Sequence, residues 1–385
     1  MGRQCPEDGA DPYTHPMPST SPPPADIAED VPVLAGSEQA RADQVAPAPE
    51  EGEGTWSARP DERDTARPVR IVAMAAYAGL VLTWSLTIGI PNDTVQVFLW
   101  LWLATIAWNV QAPPRHHLTF LRDWSLPVLG LVVYFFSRGL SDEVMNLPVH
   151  YQMPITVDQW LGGGTTPTEL LQNAWCGEPC VRALEPRWFD LAFTTVYATH
   201  FVAGLTIAAV LWLRSRPEWV KWMRRYLVIN FAGLFVYIFY PMSPPWLASQ
   251  EGYLDGVARI TSRGWREIGL ERVDLILHGV GNPVAAMPSL HTGISALIAL
   301  YAVQRLRSRW RWVLLAYPVA MGTALVYFGE HYVIDVVAGI ALAALVLWAC
   351  ERWERRRART AGRTNELDAA TVAGTERTSS AQVEA

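Results

Sequence analysis

Residues 334–350 read IDVVAGIALAALVLWAC, an apolar stretch that contains one charged side chain, Asp335. A helix of this length extends about 25 Å, close to the ~30 Å hydrocarbon core of a bilayer. A carboxylate inside such a segment is energetically costly unless another residue partners it. The stretch therefore predicts a membrane-spanning helix that carries a functional polar group.

Similar apolar runs recur along the chain. They lie at about 70–89, 94–110, 120–138, 189–213, 226–241, 288–306, 312–329 and 334–350. A soluble protein can contain one core helix this apolar, but a succession of runs of near-membrane length favours a polytopic membrane protein. We predict an all-α transmembrane helix bundle with about eight spans.

Two polar tails flank this apolar centre. Residues 1–68 are acidic and rich in Pro and Ala, and residues 351–385 are polar. Segments of such composition cannot bury enough apolar surface to offset the conformational entropy of the chain. Both tails are therefore predicted to be disordered.

Arginine positions predict the orientation in the membrane. Basic residues cluster before the first run, in every second connection and after the last run, at 63–70, 115–122, 214–225, 305–311 and 352–357. Positively charged connections remain in the cytoplasm. We expect a multi-pass protein of the cell membrane with both termini cytoplasmic, and with loops 139–188 and 242–287 and the junction 330–333 on the extracytoplasmic face.

Charge and cysteine usage exclude other classes of partner. The net charge of −6 comes largely from the acidic N-terminal segment, and no basic stripe indicates a nucleic-acid partner. Cys176 and Cys180 lie close together in WCGEPC, but no further Cys or His follows nearby to complete a metal site. In an extracytoplasmic loop they predict a small disulfide; two unpaired thiols are the alternative.

The first polar motif opens the sixth run. Residues 281–292 read GNPVAAMPSLHT, and Pro288 suits the first turn of a helix. Ser289 and His291 would then lie where unpaired backbone N–H groups collect, which favours an anion.

The second polar motif opens the last run. Residues 329–339 read GEHYVIDVVAG, so His331 and Asp335 are four residues apart and share one helix face. A carboxylate that binds one nitrogen of an imidazole fixes the tautomer of the ring. The other ring nitrogen is then available as a nucleophile. Taken singly, His291 and His331 are each typical of a polar anchor at the membrane interface. Because both motifs lie on the same side of the membrane, His291, His331 and Asp335 together favour a catalytic site.

These motifs resemble a known family. Pro288-Ser289-Leu290-His291 and His331-Tyr332-x-x-Asp335 are similar to the second and third signature motifs of the type-2 phosphatidic acid phosphatase superfamily. The sequence YPMSPPW at 240–246 and NPVAAM at 282–287 resemble its inositol phosphorylceramide synthase-like branch, as do Asp190, Tyr197 and His200 more loosely. The resemblance implies a six-helix core at 120–350, preceded by two accessory spans at 69–119.

The resemblance also implies a lipid phosphate substrate and a two-step reaction without a metal or other cofactor. His331 would attack phosphorus and become phosphohistidine, Asp335 would orient it, and His291 would transfer protons. Ser289 and nearby amides would hold phosphate oxygens. The expected activity is head-group transfer to an alcohol acceptor such as inositol or to another lipid. Plain hydrolysis of a lipid phosphate or pyrophosphate is the alternative, and a non-catalytic scaffold or transporter is a second.

Two cationic positions of the superfamily are missing. The chain has no Lys that is followed by six residues and then Arg-Pro, and Ala324 and Leu325 replace the Ser-Arg pair that usually precedes the third motif. Phosphoryl transfer needs a positive clamp, and the chain's only lysine, Lys221, lies in a cytoplasmic connection. We predict that Arg138, at the end of the third run, binds substrate phosphate; the alternative is that it extends to lipid head groups. The other candidates are Arg182, Arg187, Arg259, Arg263, Arg266 and Arg272.

Overall fold

The fold was analysed in a computed structural model of the whole chain. The residues described are 60–89, 94–144, 147–177, 180, 185–261, 263–268 and 282–383, with the backbone alone at 60–66, 139–144 and 365–383. Most of the predicted N-terminal tail, residues 1–59, lies outside this part of the chain.

Helices account for all the regular structure in the described residues, which confirms the all-α prediction. The only extended pairings there are two isolated bridges, from His150 to Met242 and from Met242 to Ala285. A 3₁₀ helix occupies Arg309–Leu315. The α-helices are α1 Pro60–Thr87, α2 Thr94–Trp108, α3 Pro114–Val144, α4 Gln152–Leu161, α5 Pro167–Trp175, α6 Trp188–Arg214, α7 Arg216–Phe239, α8 Pro245–Gln250, α9 Leu290–Arg305, α10 Ala316–Tyr327 and α11 Val333–Val383.

Each of the eight apolar runs coincides with a helix of the bundle. Four helices contain segments long and apolar enough to cross a bilayer: Arg67–Thr87, Pro114–Arg138, Trp188–Arg214 and Val333–Thr364. Val95–Trp108 is a shorter apolar helix. The protein is therefore an integral membrane protein, and the count of eight spans stays a prediction.

Large aromatic side chains fill the core between α3, α6, α7 and α9. Trp124, Trp212 and Trp222 are fully buried, and Phe120 stacks on Trp124 with ring centroids 4.9 Å apart. Burying rings of this size is strongly favourable even between membrane helices, where close packing rather than the hydrophobic effect drives association. The core thus holds α9 firmly against its neighbours.

Ion pairs join the basic connections at one end of the bundle. Arg216, the first residue of α7, lies 3.3 Å from Asp123 of α3, and Arg305 at the end of α9 lies 2.8 Å from Glu218. Arg225 of α7 lies 2.8 Å from Glu354 of α11. The alternate connections therefore share an end, as the arginine pattern predicts.

The last helix extends beyond the predicted span. Its backbone stays helical to Val383, across the stretch 351–385 for which the sequence predicted a disordered tail. The Arg-, Ala- and Glu-rich composition of this stretch has high intrinsic helix propensity, which explains the difference. At the other terminus α1 already begins at Pro60, with proline at a favourable first-turn position.

Candidate active site

His331 and Asp335 form a buried pair where α11 begins. His331 precedes the helix by two residues, and Asp335 lies in its first turn. The His331 Nδ1 lies 3.3 Å from Asp335 Oδ2, and the same oxygen accepts a hydrogen bond of 2.9 Å from the Tyr332 backbone N–H. The carboxylate therefore engages Nδ1 and leaves Nε2 as the nitrogen with a free lone pair.

His291 faces this pair from a second helix. It lies in the first turn of α9, and its ring centroid is 5.7 Å from that of His331, at an interplanar angle of 61°. The separation falls within the 5–9 Å that hydrogen bonding to one phosphate from two sides requires. The two motifs, forty residues apart in sequence, thus share one site.

A close helix crossing fixes this geometry. The backbone N–H of Ser289 donates a 3.0 Å hydrogen bond to the carbonyl oxygen of Asp335. One turn further along, Gly339 packs against the start of α9 so closely that a Cβ there would overlap the Ser289 carbonyl oxygen. Gly293 lies opposite, where a Cβ would be 3.2 Å from the Gly339 carbonyl oxygen. The two glycines let the helices that carry the histidines touch.

Ser289 is the N-cap of α9. Its hydroxyl accepts a hydrogen bond from the Thr292 backbone N–H at 3.3 Å and is fully buried. This contact satisfies one of the free N–H groups at the helix start. The side chain predicted to hold phosphate therefore contacts its own helix.

The described residues contain no cluster of three or more His, Cys, Asp or Glu side chains suited to a metal ion. The chemistry that this site offers is that of two imidazoles and a buried carboxylate. One imidazole has a fixed tautomer, and the second lies within reach of a group bound between the rings.

Comparison with known proteins places this site in a family. The sequence model of the PAP2 superfamily, the type-2 phosphatidic acid phosphatases, matches residues 178–349. The phosphoinositol dihydroceramide synthase of Bacteroides thetaiotaomicron is 32% identical over 227 residues, which cover 55% of this chain and 72% of that protein. The chain belongs to the PAP2 superfamily. It is therefore an integral membrane enzyme that acts on phosphoester bonds.

A second relative within the superfamily is eukaryotic. The catalytic subunit of inositol phosphorylceramide synthase from Schizosaccharomyces pombe is 27% identical over 165 residues, 40% of this chain and 38% of that protein. No solved structure matches the chain. Both relatives belong to the branch that the YPMSPPW and NPVAAM motifs indicated.

In this PAP2 protein the guanidinium of Arg138 lies within electrostatic range of the histidines. Its charge acts on both His291 and His200. Its side chain also hydrogen-bonds Tyr134, one turn back on α3, and its carbonyl oxygen accepts a 3.3 Å bond from Asn282. Asn282 belongs to the segment that leads into α9, so Arg138 is tied to the site by its backbone as well.

The other candidate arginines have separate environments. Arg263 is buried and lies 3.1 Å from Asp190, and Arg259 lies 2.8 Å from Glu330. Arg187 lies over the ring of Phe189, with 5.9 Å from guanidinium carbon to ring centroid. Arg266 is exposed, and Arg182 and Arg272 lie outside the described residues. Among the candidates that the structure describes, only Arg138 exerts its charge on His291.

Asp158 is a residue of the site that the sequence did not reveal. It lies on α4, fully buried, and its two carboxylate oxygens accept hydrogen bonds from the backbone N–H groups of Val333 and Ile334 at 2.8 and 3.2 Å. These are the first N–H groups of α11, separated from His331 by Tyr332 alone. Asp158 therefore caps α11 from a distant part of the chain.

The YPMSPPW motif connects the segments around the site. Met242 pairs through its backbone with Val284 and Ala286, while His150 pairs with Pro241 and Ser243. The Trp246 backbone N–H donates a 3.0 Å bond to the carbonyl of Gly329, two residues before His331. The motif thus aligns the segments that precede both histidine motifs.

A disulfide stabilises the same end of the bundle. Cys176 and Cys180 are bonded, with Cα atoms 5.1 Å apart, which confirms the preferred prediction. Arg263 donates to the Cys176 sulfur at 3.4 Å and to Asp190 on α6. Asp190, one of the loosely matched family positions, is therefore part of a buried ion pair.

Proposed function

We propose that this protein transfers an inositol phosphate or related phosphorylated head group from one lipid to a hydroxyl group of another, through a phosphohistidine at His331. The observation that carries the proposal is the His331–Asp335 pair lying 5.7 Å, ring to ring, from His291. The two relatives, both named as synthases of inositol phosphate-bearing ceramides, indicate the head group and the acceptor class.

In the first step Nε2 of His331 attacks the donor phosphorus. The bond from phosphorus to the lipid alcohol breaks, and protonated His291 gives its proton to the leaving oxygen. Asp335 stabilises the positive charge that develops on the His331 ring. Arg138 neutralises charge on the non-bridging oxygens.

In the second step His291, now unprotonated, takes the proton of the acceptor hydroxyl. The acceptor oxygen attacks phosphorus, the phosphorus–nitrogen bond breaks, and His331 returns to its neutral state. Water in place of the acceptor would give plain hydrolysis. The burial of His331 and Asp335 favours transfer, because an enclosed intermediate is protected from water.

We place this chemistry on the extracytoplasmic side of the membrane, with both termini in the cytoplasm. Two observations support this orientation. The arginine-rich connections share the end of the bundle opposite the site, and the site end carries the Cys176–Cys180 disulfide, a bond typical of oxidising compartments.

The test uses the purified full-length protein in liposomes that contain phosphatidylinositol labelled in the inositol ring. Added ceramide should receive the label in wild type, and His331→Ala should abolish the transfer. Release of water-soluble inositol phosphate at a rate independent of ceramide would establish hydrolysis instead. Turnover that persists in His331→Ala would refute the mechanism.

A further inference from the structure

A third histidine lies against the catalytic pair. His200, near the middle of α6, has its ring centroid 4.2 Å from that of His291. The ring of Phe201 lies edge-on to His200 at 5.2 Å and is also 6.1 Å from the ring of His291. Tyr197, one turn before His200, stacks on His291 at 4.9 Å and an interplanar angle of 22°. Helix α6 thus places three rings beside His291, the histidine proposed to transfer protons.

The two ring nitrogens of His200 have different surroundings. Nδ1 is fully buried and makes no hydrogen bond within the described residues, whereas the side chain as a whole is only partly buried. A buried N–H without an acceptor is rarer and costlier than a buried lone pair without a donor. The favoured tautomer therefore carries its proton on Nε2.

Burial and a neighbouring charge keep this ring neutral. A charged imidazole would lose its hydration inside the bundle, and the positive charge of Arg138 opposes a second cation beside it. A neutral ring protonated on Nε2 is a hydrogen-bond donor that does not titrate with the catalytic histidines. A developing phosphoryl anion needs such fixed donors.

We propose that His200 is a catalytic residue of this site: its neutral imidazole donates a hydrogen bond from Nε2 to a phosphoryl oxygen held between His291 and His331. The proposal rests on the proposed function. It assigns to His200 and Arg138 together the phosphate-binding role of the two cationic positions that this chain lacks.

Two substitutions of His200 distinguish hydrogen-bond donation to phosphate from a structural role. His200→Phe keeps the ring and its stacking but removes the donor, whereas His200→Gln places an amide N–H near the position of Nε2. We expect His200→Phe to lower kcat about ten- to hundredfold, because a hydrogen bond to a charged group is lost, and His200→Gln to recover most of that loss. His117→Phe, at the basic end of the bundle, is the matched control and should keep the wild-type rate.

A binding measurement makes the test independent of the lipid. Orthovanadate mimics a phosphoryl group, and its stabilisation of the purified protein against heat gives an apparent Kd. We expect that Kd to rise about tenfold or more in His200→Phe and to stay near wild type in His200→Gln and His117→Phe. Wild-type affinity and rate in His200→Phe would overturn the proposal. Equal losses in His200→Phe and His200→Gln, with a lowered Tm in both, would also overturn it and indicate a structural role.

The failure of the proposed function has a different signature. If His331→Ala retained transfer, the phosphohistidine mechanism would be wrong whatever His200→Phe does. If His331→Ala abolished transfer while His200→Phe matched wild type in rate and vanadate affinity, only the role of His200 would be wrong.

Discussion

The cap that Asp158 provides to α11 makes a quantitative prediction. Asp158→Ala leaves the backbone N–H groups of Val333 and Ile334 without their acceptors at 2.8 and 3.2 Å. Loss of a helix cap typically costs ~1 kcal/mol, and a buried unpaired donor ~1–3 kcal/mol. We expect about 2 kcal/mol of local destabilisation at the start of α11, directly beside His331.

This loss should affect catalysis more than binding. His331 and Asp335 lie on either side of the capped N–H groups, so a frayed first turn displaces the nucleophile from its orienting carboxylate. A destabilisation of ~2 kcal/mol lowers the population of the aligned state, and with it kcat, by at most about thirtyfold, while KM changes little. Asp158→Asn, which keeps one acceptor oxygen, should lose less.

The assay is steady-state head-group transfer by purified variants, with Tm measured in the same detergent. Asp255→Ala, in an exposed loop, is the control for removal of an aspartate. If Asp158→Ala turned over at the wild-type rate, the cap would have no role in positioning His331. If kcat and Tm fell together in Asp158→Asn and Asp158→Ala alike, general unfolding would explain the result instead.

The remaining predictions concern residues that the site already contains. His331→Ala should lower turnover at least ~10³-fold, whereas His291→Ala should recover activity on a donor with an activated leaving group. If His331→Ala were the more active variant on that donor, the roles of the two histidines would be exchanged. Arg138→Gln should lower kcat about 10²-fold and weaken vanadate binding, and Arg138→Lys should not restore it fully; wild-type vanadate affinity in Arg138→Gln would assign the clamp to another group. Gly339→Ala should push α9 from α11 and lower activity at least tenfold, while Gly79→Ala, where a Cβ meets nothing within 4 Å, should be neutral in the same assay. The Tm of wild type should fall as pH rises from 4 to 6, because burial raises the pKa of Asp158 from its ordinary 3.8 to about 6; Asp158→Asn should flatten this slope, and an unchanged slope would contradict it.

The sign of that last effect follows from proton uptake. The folded state retains the Asp158 proton up to about pH 6, whereas the unfolded chain releases it near 3.8. The contribution of Asp158 to the free energy of unfolding is therefore largest below pH 4 and decreases as pH rises through 6. The difference of about two pKa units corresponds to at most ~3 kcal/mol.

Local patterns in the sequence predicted the helices and the juxtaposition of the motif residues. The spacing of His331 and Asp335 within one helical turn, and of Ser289 and His291 at a helix start, are short-range geometries that the backbone dictates. Hydrophobic runs predicted the longer helices, but not the short helices α4, α5 and α8. The extent of α11 was not predicted, because polar composition alone does not distinguish a solvated helix from a coil.

Local sequence patterns could not predict the contacts between segments that are distant in the chain. Asp158 binds backbone groups 175 residues further along the chain, and Gln172 binds the carbonyl of Tyr327, 155 residues away. Asp158 lies on α4 and Gln172 on α5, two short helices that no apolar run of the sequence predicted. A lone aspartate in such a helix was the one available signal, and the partner could not be inferred from it.

These distant contacts hold His331, the proposed nucleophile, in place before the start of α11. His331 lies outside regular helix, and its backbone N–H donates a 3.3 Å hydrogen bond to the Leu325 carbonyl oxygen of α10. Three further parts of the chain fix the backbone around it: Asp158 caps the residues that follow, Trp246 binds the carbonyl of Gly329, and Ser289 binds the carbonyl of Asp335. Ser289 belongs to the turn that positions His291, so any displacement of α11 also moves the proton-transferring ring. Both steps of the proposed head-group transfer need the rings of His291 and His331 to be positioned around one phosphorus atom. The hydrogen bond between Ser289 and Asp335 couples the positions of these two rings.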